Sequence, residues 1–197
     1  MKTIQYYFSP KSPWTYLGHE RLVSMAQRHG ANVEPKPTDL GKIFPLSGGL
    51  PLNKRAPQRQ AYRLRELERW SQFLKLPLNL HPRFFPVDDT DAALMITSTV
   101  NAGDVQAALV LSGKLMRAVW AEDRDIADAD TLVQVANEAG LDGAAVYAGR
   151  QAGAELYEQY THEANQLQMF GAPWYVYQGE PFWGQDRLDF LDRALAD

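Results

Sequence analysis

The run Ile4-Gln5-Tyr6-Tyr7-Phe8, followed at once by Ser9-Pro10-Lys11-Ser12-Pro13-Trp14-Thr15-Tyr16-Leu17, constrains the fold of this chain more than any other stretch. Its first part is rich in β-formers and reads as a short strand. Its second part opens a helix, because Ser12 can cap and the fixed φ of Pro13 suits a first helical turn. A strand that turns directly into a helix N-terminus presents unpaired backbone N–H groups and the positive end of a dipole, which favour an anion or a thiolate. Ser12 is the side chain that would meet such a group. Ser-Pro also begins many helices that bind nothing, so the corner alone leaves both readings open.

The chain that follows gives this corner a setting. Residues 13 to about 29 form an amphipathic pattern with Leu17, Leu22, Met25 and Ala26 inward, and Gly30 stops it. Residues 32–38 read as a weak strand in which Pro35 and Pro37 are compatible only with an edge or irregular position. Together these predict a parallel βαβ start. Gly41, Pro45, Gly48, Gly49 and Pro51 make 39–53 loop-like. A strong helix follows over 57–75, with Leu64, Leu67, Trp70, Phe73 and Leu74 at three- and four-residue steps. Arg59, Arg63, Arg65 and Arg69 stand on it among Glu66 and Glu68, which predicts a solvated, ion-paired face. Lys54 and Arg55 precede the helix, where a side chain is free to reach a ligand. In the proline-rich connection 76–87, Phe84 and Phe85 either cover the core or line a pocket for a flat apolar ligand.

Helices are expected across 88–101, 103–121, 129–139, 142–150 and 152–166, an all-helical block. Phe170-Gly171-Ala172-Pro173 then runs into a strand Trp174-Tyr175-Val176-Tyr177, a turn at Gln178-Gly179-Glu180, a segment Pro181-Phe182-Trp183-Gly184 and a helix over 185–195.

Composition excludes several classes of function. The chain has no cysteine, which removes disulfides, a cysteine nucleophile and thiolate metal sites. Its histidines, His19, His29, His81 and His162, are scattered without a metal-ligand spacing, so no metal site is expected. A net charge of −4 gives no footing for nucleic-acid binding. No apolar run approaches the ~20 residues needed to span a bilayer, and Met1-Lys2-Thr3 leads straight into the first strand; the expectation is a cytoplasmic protein with no membrane association.

The order βαβ, helical insertion, ββα is an α/β arrangement of thioredoxin type, with 1–40 and 167–197 forming the thioredoxin-like domain and 41–166 the inserted helical domain. In that fold the helix-opening corner commonly carries Cys-Pro-x-Cys, where this chain has Ser12-Pro13-Trp14-Thr15. The sequence resembles the 2-hydroxychromene-2-carboxylate isomerases, relatives of the kappa-class glutathione transferases with DsbA-like architecture. The resemblance spans essentially the whole chain. It is carried by Phe8 to Leu17, by Phe170-Gly171-Ala172-Pro173, and by Phe182-Trp183-Gly184-Gln185-Asp186-Arg187-Leu188.

The resemblance implies glutathione as cofactor, with its thiol near Ser12 and Ser12 as the catalytic activator. It implies a cis Pro173 beside Ala172, whose backbone pairs with the tripeptide, and Trp183, Gly184, Gln185 and Asp186 around the γ-glutamyl end. Asn53 and Lys54 would meet a carboxylate, and Phe84 an aromatic substrate. The implied substrate is a small aromatic 2-oxo or hydroxy carboxylate, and relatives are commonly homodimers. The implied reaction is the glutathione-dependent interconversion of 2-hydroxychromene-2-carboxylate and trans-o-hydroxybenzylidenepyruvate, in the catabolism of aromatic compounds. A kappa-like transferase or peroxidase, and a non-catalytic thioredoxin-like binding module, are the alternatives. Two departures stand out. The family's acidic residue before the serine motif is replaced around Ser9, and Ser9-Pro10 competes with Ser12-Pro13 for the capping role. Ser12 is preferred because Tyr16 and Leu17 follow it at family spacing.

Overall fold

The computed structural model describes residues 1–196. The first strand, β1 (Thr3–Phe8), is followed by α1 (Pro13–Arg28) and β2 (Asn32–Pro37). Helices α2 (Leu40–Ser47), α3 (Pro57–Leu74), α4 (Thr90–Asn101), α5 (Val105–Trp120), α6 (Ala129–Glu138), α7 (Gly143–Gly149) and α8 (Ala154–Gln166) come next. The hairpin β3 (Trp174–Tyr177) and β4 (Glu180–Trp183) and the last helix, α9 (Leu188–Ala196), close the chain. The strands form one sheet in the order β2-β1-β3-β4, with β1 parallel to β2 and antiparallel to β3. Proline-bearing β2 lies at an edge, where its missing N–H donors cost no ladder bonds. This is the DsbA-like thioredoxin arrangement.

Burial follows from the central place of β1. Ile4, Tyr6 and Phe8 face α1, α5 and α9, in a core that also takes Tyr175, Leu17, Leu22, Leu115 and Leu191. Tyr7 points the other way, to join Ile43 of α2, Ala164 of α8, Trp174 and Val176. A strand covered on both faces reads as a continuous apolar run rather than an alternation, which is why Tyr6-Tyr7-Phe8 are all buried. Tyr6 stacks on Phe8 (4.4 Å between ring centroids) and on its cross-strand partner Tyr175 (5.5 Å).

Three expectations change. Residues 40–47 are helical, not loop: Asp39 caps α2 by accepting from the Gly41 N–H (2.8 Å), Gly48 ends it in the left-handed region, and Ile43 anchors it in the core. Pro45 sits inside that helix. Phe73 is 74% exposed instead of inward, its ring edge against Trp70. The segment 185–187 is a 3₁₀ turn, and regular helix starts at Leu188.

One buried polar pair couples the sheet layer to the helices. The carbonyl of Leu109 can only accept, so His19 carries its proton on Nε2, donates there (3.0 Å) and accepts from the Tyr6 hydroxyl at Nδ1 (3.3 Å). Burial lowers the His19 pKa to about 4, against the Leu109 hydrogen bond, which raises it. The unfolded chain therefore binds the proton more readily, so this contribution is whole above pH ~6.5 and is lost as pH falls through about 4. At pH 4.5 the loss is about 2–3 kcal/mol relative to pH 7.5. Denaturant titrations of wild type and His19→Gln at both pH values should show that difference shrinking in the variant; equal pH dependence in the two proteins would contradict it.

Candidate active site

Ser12 has extended backbone angles (φ −78°, ψ 124°) and caps α1, its Oγ accepting from the Thr15 N–H at 3.3 Å. The competing hydroxyl of Ser9 is used elsewhere: it donates to Asp89 Oδ2 at 2.6 Å. Capping therefore falls to Ser12. Because Oγ spends a lone pair on the helix, its own proton remains free to be donated, and the first-turn N–H groups point the same way.

The turn before α1 is tied down by the helical block. Asp89, 6% exposed at the start of α4, takes the Ser9 hydroxyl, the Lys11 ammonium (2.7 Å) and the Lys11 N–H (3.4 Å). The Trp120 indole donates to the Lys11 carbonyl (3.2 Å), and Tyr16 donates to the Pro77 carbonyl (2.7 Å). A carboxylate thus does stand beside Ser9, supplied from another element. Sequence reasoning missed Asp89, and its distance along the chain offered no local signal.

On the opposite side the Ala172–Pro173 bond is cis, and Pro173 accepts from the Gly184 N–H at 2.9 Å. Gly184 has φ +93°, and a Cβ there would lie 2.5 Å from Asp186 Oδ1, so only glycine lets the carboxylate fold back. Gly171 has no room for a Cβ because the Trp183 indole lies against it (2.8 Å). That indole is half exposed and meets Phe170 edge-on at 4.7 Å. Gln185 is buried, and both its side-chain and backbone oxygens accept from Arg21 of α1 (2.9 and 3.2 Å). Asp186 pairs with Arg187 at 2.7 Å.

A cleft of about 580 Å³ joins these parts. One wall holds Ala172, Trp183, Gly184, Gln185 and Asp186, and Trp14 from the first turn of α1 adjoins them. The facing wall is the N-terminal half of α3, with Arg55 just before it. Ser12 and Pro173 flank lining residues without lining the cleft themselves. Asn53 and Lys54 are exposed on the one-turn 3₁₀ helix before α3, outside the lining, and Phe84 lies outside it under the Arg83 guanidinium.

The arginines of α3 divide into two sets. Arg65 pairs with Glu68 and Arg69 with Glu66, as a solvated face requires. Arg59 and Arg63 instead enter the cleft with Arg55, and none of the three makes an ion pair with a described carboxylate. Burial lowers the Arg55 pKa, helped by the Arg59 charge, and pushes Arg63 down to about 10, helped by Arg55. The sequence does carry a signal for this: Arg59 and Arg63 are a like-charged pair one helical turn apart, with Arg55 just before the helix, and such a pair repels unless an anion joins it. The cleft therefore combines Ala172 and the 183–186 segment with three arginines, and Trp14, Tyr62 and Trp70 complete its lining.

The chain matches the family model for the DSBA-like thioredoxin domain over residues 3–196. It is 31% identical to a 2-hydroxychromene-2-carboxylate isomerase of Sphingobium xenophagum, covering 100% of this chain and 99% of the relative. It is 23% identical to the rat glutathione S-transferase kappa 1, covering 100% and 92% of the two chains. A solved structure of a 2-hydroxychromene-2-carboxylate isomerase superposes with a TM-score of 0.81 at 25% identity, covering 98% of this chain and 94% of that one. The helix-capping serine corner, the cis-proline edge and the full-length similarity converge: this chain belongs to the 2-hydroxychromene-2-carboxylate isomerase family, built on the DSBA-like thioredoxin domain.

Proposed function

We propose that the protein is a glutathione-dependent isomerase acting on a 2-hydroxychromene-2-carboxylate or a close relative. The observation that carries this reading is the cleft itself, whose lining brings Ala172 and the 183–186 segment together with three arginines that pair with no described carboxylate, beside the first turn of α1. Glutathione as a thiolate, with two carboxylates and one ammonium, and a monocarboxylate substrate together bring three net negative charges into the cleft as a whole. The names of the full-length relatives point to the same chemistry.

Each residue has a part that follows from its place. The Ser12 hydroxyl and the α1 dipole favour a thiolate over a thiol at the corner, lowering its pKa as helix N-termini do. The backbone of Ala172 offers a strand-like pairing edge to the tripeptide. Asp186 suits the γ-glutamyl ammonium, and the first turn after Gly184 its carboxylate. Gln185, held by Arg21, braces that turn against α1. When bound, glutathione supplies a thiolate whose reversible addition to a conjugated enone makes a double bond rotatable and whose elimination restores it.

Two measurements test this reading. Millimolar glutathione should raise the melting temperature by about 5–10 °C at a hundredfold excess over Kd, since a ligand of the native state stabilises by mass action; no shift would favour a binding module without glutathione. Quantifying glutathione during turnover separates the isomerase, which returns it, from a kappa-like transferase, which consumes it. The full-length similarity to a kappa transferase is the reason to keep that second reading.

A further inference from the structure

Among the arginines of the cleft wall, Arg63 is set apart by its surroundings. Its guanidinium lies over two rings, 5.5 Å from the centroid of Phe85 and 5.7 Å from that of Trp120, which are themselves in contact at 4.8 Å. Trp120 in turn holds the Lys11 carbonyl, one residue before Ser12. Arg63 is thus linked through Trp120 to the turn that ends at Ser12, whereas Arg59 is exposed and Arg55 is spent partly on the Leu50 carbonyl (2.8 Å). The wall carrying Ala172 and the 184–187 turn lies opposite.

A planar guanidinium backed by aromatic faces and pairing with no described carboxylate is suited to a bidentate carboxylate attached to a flat ligand. The ring of that ligand would find Trp14, Tyr62 and Trp70 in the same cleft. We propose that Arg63 is the specificity-determining anchor for the carboxylate of a planar, conjugated aromatic acid, holding it beside the Ser12 corner. Lys54, which sequence comparison brings forward for a carboxylate, is exposed outside the cleft and leaves this task to Arg63. Burial and the neighbouring Arg55 charge, which depress the Arg63 pKa, describe a cation that an incoming carboxylate would relieve.

This inference deepens the isomerase reading and rests on it for the identity of the acid, yet binding tests it without turnover. The probes are trans-cinnamate and its neutral isostere trans-cinnamamide, titrated by tryptophan fluorescence into wild type, Arg63→Met and Arg63→Lys, with glutathione titrated separately into each. Wild type should prefer the acid about 10- to 100-fold, Arg63→Met should lose that preference, and Arg63→Lys should recover part of it. Glutathione affinity should change less than about twofold in Arg63→Met. Wild type failing to discriminate acid from amide would overturn the proposal, as would an unchanged preference in Arg63→Met. A loss of glutathione affinity in place of cinnamate affinity would also overturn it, and would assign Arg63 to the tripeptide's glycyl carboxylate. Should Arg63→Met melt well below wild type, Arg63→Lys read at the same temperature decides, because it keeps the stem and charge while removing the bidentate fork. Failure of the isomerase reading would show separately, as absent turnover by a wild type that still discriminates the acid.

Discussion

Replacing Ser12 by alanine is expected to lower glutathione-dependent turnover about 100- to 1,000-fold, the scale seen when one preorganised donor to a developing or resting anion is removed. Stability should fall by only about 1 kcal/mol, the usual cost of losing an N-cap. The two effects can be separated. Aspartate at this position keeps an oxygen to accept from the Thr15 N–H but sets a negative charge where the proposed glutathione thiolate would lie. Ser12→Asp should therefore hold the wild-type melting temperature and lose activity at least as completely as Ser12→Ala. Steady-state rates beside thermal melts of both variants make the check. If Ser12→Asp were active, or if Ser12→Ala lost activity only in proportion to its unfolded fraction, Ser12 would be no more than a cap.

The second large effect is expected at Asp89. Its carboxylate is almost fully buried and takes the Ser9 hydroxyl, the Lys11 N–H and the Lys11 ammonium. Asp89→Ala leaves those donors without a partner, and breaking such a pair from one side costs about 3 kcal/mol, discounted toward 2 because Lys11 is one-third exposed. The damage is local to the turn that ends at Ser12, so kcat should fall beyond what the lost stability explains. Asp89→Asn keeps an acceptor of the same shape and should retain most of the stability while weakening the Lys11 contact. A double-mutant cycle with Ser9→Ala isolates the shared interaction, expected at about 1–2 kcal/mol; additive single effects would show that the two side chains do not act together.

Asp89 also illustrates what the sequence left hidden. The strand-turn-helix corner was legible because its chemistry is local: β-formers, a capping hydroxyl and a proline lie within a few residues of one another. The same holds for the two-residue turn at Gln178 and Gly179, both in the left-handed region, between β3 and β4. The brace from Asp89 to Ser9 joins positions far apart in the chain, and so do those from Trp120 to Lys11 and from His19 to Leu109. Such pairings depend on how the helices fold back over the corner, which no local pattern encodes. Residues 40–47 were misread for a different reason. Pro45 and two flanking glycines are loop signals, yet the Asp39 cap and the burial of Ile43 outweigh them.

The cationic wall lies between these cases. Counting Glu66 and Glu68 among the arginines suggested a wholly ion-paired face, but each glutamate neutralises only one arginine, Arg69 and Arg65 respectively. The like-charged series at 55, 59 and 63 was visible in the sequence. What the three-dimensional arrangement adds is that Ala172 and the 183–186 segment line the same cleft. Trp183, Gly184, Gln185 and Asp186 line that cleft, whereas Asn53, Lys54 and Phe84 stand outside it.

In the proposed reaction glutathione supplies the sulfur for which this chain has no cysteine. The most direct test follows 2-hydroxychromene-2-carboxylate by ultraviolet absorbance with purified protein, with and without substoichiometric glutathione. Conversion toward trans-o-hydroxybenzylidenepyruvate is expected only when glutathione is present, with all of the glutathione recovered as free thiol. Equal conversion without glutathione, or none with it, would contradict the account.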